Sequence, residues 1–83
     1  MRLPRDISGR EIAQSLKVFG YQISRQTGSH LRLTTLEAGE HHITIPEHKA
    51  LRVGTLAAIL DDVAQHLQLS REDLIEQLFG GRD

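Results

Sequence analysis

The chain has 83 residues, 39% of them hydrophobic, which is enough for one compact domain, residues 1–83, with a modest aliphatic core. It has no cysteine, which excludes a disulfide scaffold and thiolate chemistry, and no apolar run long enough for a signal peptide or membrane span, so we expect a soluble cytoplasmic protein. The net charge of −1 is unevenly distributed: residues 1–54 carry eight Lys/Arg and five Asp/Glu, and residues 55–83 carry two and six. The first part can therefore face phosphate although the whole chain is almost neutral.

A first helix is predicted over about residues 9–19. Ser8 followed three residues later by Glu11 is the signature of a capping box at a helix start. Gly20 is a suitable end, because glycine adopts the left-handed conformation that commonly closes a helix. Between these limits apolar residues recur at helical spacing, at Ile12, Leu16 and Phe19.

Three strands are predicted next, because three segments alternate between apolar and polar residues: YQISRQ, HLRLTTL and HHITIP. The segment EAGE has the composition of a turn, and Pro46 ends the third strand because proline has no backbone donor for the ladder. Connections this short join antiparallel neighbours, so the three strands form a meander.

The C-terminal part of the chain is predicted to be helical. Thr55 can cap LAAILDDVAQHL, and Ser70 with Asp73 can cap REDLIEQLF, which is ended by Gly80 and Gly81. The two segments are either separate helices or one helix kinked near Ser70. We therefore expect an α+β fold of order α-β-β-β-α with a short extra C-terminal helix, the helices covering one face of a three-stranded antiparallel sheet.

The alternation in the second strand predicts where a histidine points. Leu31 and Leu33 must face the helices, because they are the apolar residues of the strand. His30, Arg32 and Thr34 then point the other way. The sheet thus presents a titratable group on its open face.

The first hairpin can be predicted from the same pattern. If Ile23 pairs with Leu33 on the inner face, the connection is the three-residue loop Thr27-Gly28-Ser29. Gly28 then supplies the positive φ angle that such a loop requires.

Basic residues are predicted to collect around His30. Pairing Leu33 with Ile43 brings His30 beside Pro46, where the loop PEHKALRVGT begins. The side chains expected to converge on this corner are Arg25, His48, Lys49 and Arg52. We interpret the corner as a candidate phosphate site with an imidazole at its centre.

Each feature also has a purely structural interpretation. A histidine at a strand start is commonly only solvated, and Gly28 can serve the turn alone. The acidic residues of the last two helices are interpreted as solvated, without chemistry: Asp61, Asp62, Glu72, Asp73 and Glu76.

A metal site built from His30, His41, His42 and His48 is not expected. Adjacent residues of a strand point to opposite faces, so His41 and His42 cannot share one zinc ion unless the strand is bulged.

Four blocks of the chain, in order and at matching spacing, resemble the HicA (YcfA-like) toxins. They are GREIAQSLKVFGYQISRQTGSH, IPEH, LRVGTLAAIL and LSREDLIEQL, which together span residues 9–78. The resemblance implies a double-stranded-RNA-binding-like fold and cleavage of mRNA without a metal or other cofactor. It also implies a neutralising partner, the HicB antitoxin, and it makes the histidine of the Gly-Ser-His motif, His30, the catalytic residue.

The residue types suit that chemistry. RNA carries its own nucleophile, the 2′-hydroxyl, so that a histidine of ordinary pKa can act as the general acid or base. His48 is the expected helper. The residues expected to bind single-stranded mRNA are Arg25, Gly28, Ser29, Arg32, Lys49 and Arg52, the glycine and serine through their amides.

Two other functions stay open. Leu31 after the motif histidine and the acidic AAILDD segment are compatible with a weak or inactive RNA-binding module that keeps a HicB-like partner. A metal-binding protein is the third possibility, which metal analysis of the purified chain distinguishes.

Overall fold

The computed structural model describes residue 3 and residues 5–80. The elements are α1 (Gly9–Ser15), continued by a 3₁₀ turn (Leu16–Phe19), then β1 (Gln22–Thr27), β2 (His30–Thr35), β3 (His41–Pro46), α2 (Val53–Leu67) and α3 (Arg71–Phe79). The strands form one antiparallel sheet in the order β1-β2-β3. This confirms the predicted α-β-β-β-α order with a short extra helix, an arrangement consistent with the double-stranded-RNA-binding-like fold.

Helix α1 begins as its sequence predicts. The Ser8 hydroxyl accepts a hydrogen bond from the Glu11 amide at 3.0 Å, and the Glu11 carboxylate accepts one from the Ser8 amide at 2.8 Å. The segment ends at Gly20, whose φ is +81°. Its last turn is a 3₁₀ helix, a common ending for an α-helix, so the predicted extent was right and the helix type changes within it.

The predicted cap of α2 was wrong. The helix begins at Val53, two residues before Thr55, and its N-cap Arg52 has no side-chain cap. The start is set by tertiary contacts: Leu51 is buried, and its amide donates to the Ile7 carbonyl at 2.8 Å. Packing of Leu51 therefore overrides the local capping signal.

The C-terminal segments are two helices and not one kinked helix. Gln68 adopts a left-handed conformation with φ +59°, which ends α2. Ser70 caps α3 as predicted, accepting from the Asp73 amide at 3.0 Å. Gly80 follows the last helical residue, and the second predicted helix-ending residue, Gly81, lies outside the described residues.

The acids of these helices were expected to be only solvated. Asp61 is exposed, but it accepts two hydrogen bonds from Arg71, both of 2.6 Å, which tie α2 to α3. This hydrogen bonding holds the pKa of the Asp61 carboxyl below its usual value. Asp62 also has a partner, His41. Both acids lie on solvated helix faces as predicted, and each makes a surface contact that the sequence did not reveal.

The sheet has the predicted register on its inner face. Ile23 pairs with Leu33, and Leu33 with Ile43. Buried apolar side chains of β2 and β3 meet those of the helices in one core, whose largest fully buried members include Ile12, Leu16, Leu31, Leu33, Ile45, Leu56, Leu60, Leu74 and Ile75. The other face of β2 and β3 is left open.

The first hairpin differs from the prediction. A β-bulge between Ile23 and Arg25 shifts the register by one residue, so that Thr27 pairs with His30. The predicted three-residue loop was therefore wrong: Thr27 belongs to the ladder, and Gly28-Ser29 alone form the turn. Gly28 has a φ of +55°, as the turn requires.

Within the described part of the chain, none of the helices has both the length and the apolar character needed to cross a membrane.

Candidate functional site

His30 begins β2 and lies on the open face of the sheet. Its neighbours across the sheet are Thr27 on β1 and Pro46 on β3, as the register of β2 and β3 predicted for Pro46. The residue is exposed, and among the described residues its imidazole has no hydrogen-bond or ion-pair partner. The ring is therefore free to contact a ligand through either nitrogen.

The corner around His30 is held by backbone hydrogen bonds. The Ser29 carbonyl accepts from the Glu47 amide at 2.6 Å, so the loop after β3 starts against the hairpin turn. The His48 carbonyl then accepts from the Gly9 amide at 3.0 Å. Hairpin, loop and the start of α1 are thereby fixed to one another around the imidazole.

Gly9 is required for this close approach. A Cβ atom at Gly9 would lie 1.9 Å from the Pro46 carbonyl oxygen, far inside van der Waals contact. A side chain there must push α1 away from the end of β3, directly opposite His30.

Replacing Gly9 by alanine is expected to lower the free energy of unfolding by about 1–3 kcal/mol, because backbone atoms must move to relieve the overlap. Gly54→Ala is the matched control: no atom of the described residues outside its immediate surroundings lies within 4 Å of its added Cβ, and alanine is the better helix former. It should be stabilising by about 0.5 kcal/mol. Urea unfolding of both variants measures the difference, and equal stability of the two would contradict the steric explanation.

The bulge turns Arg25 onto the same face as His30. In an unbulged strand with Ile23 opposite Leu33, Arg25 would pair with Leu31 and point toward the helices. In the structure Arg25 pairs with Arg32, and the hydroxyl of Ser24 contacts Thr34 on the open face at 2.9 Å. The sequence analysis placed Arg25 at the site, but it did not predict the bulge that makes this placement possible.

The two arginines form a like-charge cross-strand pair, an arrangement that is unfavourable in an isolated protein. Both are exposed, and among the described residues neither Arg25 nor Arg32 has a carboxylate partner. An anion between or above them removes the repulsion. This part of the face is thus suited to phosphate.

The loop residues are only partly brought to the site. His48 and Lys49 are exposed in the loop after β3, and Arg52 is exposed at the start of α2. No hydrogen bond or ion pair among the described residues joins any of them to His30. The structure therefore groups His30 with Arg25 and Arg32 and leaves the loop cations on an adjoining segment.

A network beneath the corner was missed by the sequence analysis. The Glu47 carboxylate accepts from Arg10 Nε at 2.7 Å and from Gln26 Nε2 at 3.0 Å, and Arg10 Nη2 donates to the Gln26 side-chain oxygen at 3.3 Å. Gln26 pairs with Leu31, so the network lies on the helix side of the sheet. Arg10 and Glu47 are 37 residues apart, and no local pattern connects them. The Glu47 carboxylate, directly after β3, is thereby paired with Arg10 on the helix side of the sheet and not with a group on the His30 side.

The adjacent histidines of β3 point to opposite faces, as predicted. His41 lies on the helix side, where its Nδ1 is 2.7 Å from the Tyr21 hydroxyl and its Nε2 is 3.2 Å from Asp62. His66 of α2 stacks on it with ring centroids 4.3 Å apart. Burial, with the Asp62 charge, raises the pKa of Tyr21 to about 12, so this buried phenol stays protonated at neutral pH.

His42 lies on the open face and contacts Thr34 and Glu40. Across the described residues, no group of three or more histidine, aspartate and glutamate side chains is placed to hold a metal ion.

Fold and site together define a small α+β protein with an exposed histidine beside two exposed arginines on the open face of its sheet. A family model described as the HicA toxin of bacterial toxin-antitoxin systems matches residues 9–64, more than half of the chain. The chain therefore belongs to the HicA toxin family, which confirms the resemblance read from its motifs and implies an antitoxin partner. Neither a curated protein nor a solved structure matches the chain.

Proposed function

We propose that this protein is a metal-independent endoribonuclease that cleaves single-stranded mRNA and is neutralised by a HicB-like antitoxin. The observation that carries the proposal is the exposed imidazole of His30, which has no hydrogen-bond partner among the described residues and lies on the same face as Arg25 and Arg32. Family membership supports it, because a toxin of this family is expected to act on RNA in the cytoplasm.

The proposed reaction uses the RNA itself as nucleophile. The 2′-hydroxyl oxygen forms a bond to the adjacent phosphorus, the bond from phosphorus to the 5′-oxygen breaks, and a cyclic phosphate and a 5′-hydroxyl result. One proton leaves the 2′-oxygen and one reaches the 5′-oxygen. His30 transfers one of them, a contribution typically of 10²- to 10⁴-fold to the rate.

The remaining site residues are assigned to binding and proton transfer. Arg25 and Arg32 contact phosphate oxygens from the open face, and the amides of the Gly28-Ser29 turn add donors for the developing negative charge. Lys49 and Arg52 extend the cationic surface along the adjoining loop. His48, next to Glu47 at the start of that loop, is the proposed second acid or base.

A second candidate is a non-catalytic RNA-binding module that keeps the HicB-like partner. It is favoured by the residue directly after His30: Leu31 is fully buried, so this position adds no polar group to the site. Binding of RNA without its cleavage by the parent protein would distinguish this module from the nuclease.

Cleavage is expected to survive an excess of EDTA, because the 2′-hydroxyl replaces a metal-activated water in the proposed reaction. A labelled RNA oligonucleotide, followed on a gel with and without chelator, measures this. The same oligonucleotide with 2′-deoxyribose throughout should bind and remain intact. Activity that disappears with EDTA and returns with Mg²⁺ or Zn²⁺ would show that the reaction is metal-dependent.

A further inference from the structure

A chain of hydrogen bonds crosses all three strands on the open face, at the end of the sheet away from His30. The Ser24 hydroxyl lies 2.9 Å from the Thr34 hydroxyl, which lies 2.8 Å from His42 Nδ1. His42 Nε2 lies 2.7 Å from the Glu40 carboxylate. None of these four side chains contributes to the core, so core packing does not explain this chain of hydrogen bonds.

These hydrogen bonds fix the orientation of the His42 ring. Because the Glu40 carboxylate can only accept, Nε2 donates to it, and Nδ1 is hydrogen-bonded to the Thr34 hydroxyl on the other side of the ring. The ring nitrogens form hydrogen bonds in the plane of an imidazole, so partners at both nitrogens do not occupy its flat faces. The side chain is 37% exposed. A rigid, partly exposed aromatic ring of this kind is a platform on which a nucleobase can stack.

A hollow of about 610 Å³ adjoins the two hydroxyl groups of this chain of hydrogen bonds. Ser24 and Thr34 line it, together with Leu36, which is 76% exposed and is one of the few large apolar side chains left outside the core. An exposed leucine beside two hydroxyl groups offers an apolar surface and hydrogen-bonding groups, the combination that a base requires.

The charges on the open face differ between its two ends. Arg25 and Arg32, beside His30, make one end cationic. At the other end the Glu40 carboxylate pairs with His42, and the Glu37 carboxylate lies at the hollow. Phosphate is favoured at the first end and repelled at the second, so a ligand with an anionic backbone and neutral aromatic groups suits the whole face.

We propose that single-stranded RNA lies along β2 on the open face, with phosphates at Arg25 and Arg32 and a flanking base stacked on His42 beside the hollow. Thr34 is four residues from His30 on the same strand, about 13 Å, so the base bound there is separate from the cleaved linkage. The inference deepens the proposed ribonuclease function and rests on it for the position of the cleaved linkage.

The test uses the full chain with His30→Ala, so that RNA stays intact whether or not the parent protein cleaves it. Two probes are compared by fluorescence anisotropy: a labelled 12-nucleotide RNA of mixed sequence, and an oligomer of equal length made of abasic ribose phosphates. Added His42→Ala is expected to weaken binding of the mixed-sequence RNA about fivefold or more and to leave the abasic oligomer unaffected. His42→Phe keeps an aromatic face and should retain most of the affinity.

Three further variants separate the contribution of phosphate binding from that of base binding. Arg32→Ala should weaken both probes alike and lower the slope of log K against log salt by about one. Leu36→Ser, at an exposed position that leaves the fold intact, should weaken only the base-bearing RNA. Gln65→Ala on the exposed side of α2 is the control and should change neither.

Unchanged affinity of His42→Ala for the mixed-sequence RNA would overturn the proposed base site, as would an equal loss for the abasic oligomer. Unchanged RNA affinity together with weaker antitoxin binding would assign His42 to the partner interface. These results are independent of the proposed cleavage, which fails only if the parent protein leaves RNA intact or His30→Ala still cuts it.

Discussion

Replacing His30 by alanine is expected to reduce RNA cleavage at least a hundredfold while RNA binding persists. The reason is that the imidazole transfers a proton in the proposed reaction, whereas the phosphate contacts belong to the arginines. The free energy of unfolding should change by less than about 0.5 kcal/mol, because the side chain is exposed and has no partner among the described residues. Single-turnover cleavage of labelled RNA and urea unfolding measure the two effects.

Two matched variants sharpen this experiment. Gln65→Ala, on the helix side, should cleave at the parental rate. His48→Ala removes the proposed helper and is expected to cause a smaller loss than His30→Ala. If His30→Ala cleaves as fast as the parent protein, the catalytic assignment is wrong.

RNA and the antitoxin are expected to compete for the open face. Arg25 and Arg32 are unpaired in the described structure, so a partner that presents carboxylates to them gains complementary charge and covers His30 at the same time. Titrating a HicB-like antitoxin into His30→Ala protein bound to labelled RNA should release the RNA stoichiometrically. Arg25→Ala with Arg32→Ala should weaken both complexes and reduce the salt slope of RNA binding by about two.

The acidic helices provide the control for this competition. Asp61 pairs with Arg71 away from the sheet, so Asp61→Asn should leave RNA affinity within about twofold. A ternary complex of protein, RNA and antitoxin with unchanged RNA affinity would show that the partner binds elsewhere. Neutralisation would then depend on a change in the toxin's conformation.

The proposed site is built from backbone contacts as much as from side chains. Gly9 permits α1 to approach Pro46, and the Ser29 carbonyl holds Glu47 at the start of the following loop. The proposed catalytic side chain, His30, is exposed and receives no support from packing. Three of the described glycines consequently differ in use: Gly9 permits a close contact, Gly28 turns the hairpin, and Gly54 has no close neighbour among the described residues.

The sequence by itself determined the features that depend on local pattern. Ser8 and Glu11 are three residues apart, and their reciprocal capping follows from that spacing. The alternation of Leu31 and Leu33 determined which face of β2 is open, because strand side chains alternate strictly and only one face can be buried. The order of the elements and the family followed from the same local signals.

Only the tertiary structure decided how distant groups meet. One extra residue at Ser24 turns Arg25 to the open face, and a bulge has no signature in an alternating strand. Burial of Leu51 moved the start of α2 ahead of Thr55, because packing outweighs a cap of about 1 kcal/mol. The hydrogen-bond chain from Ser24 through His42 joins residues of three strands, so it exists only after register and bulge have been set together.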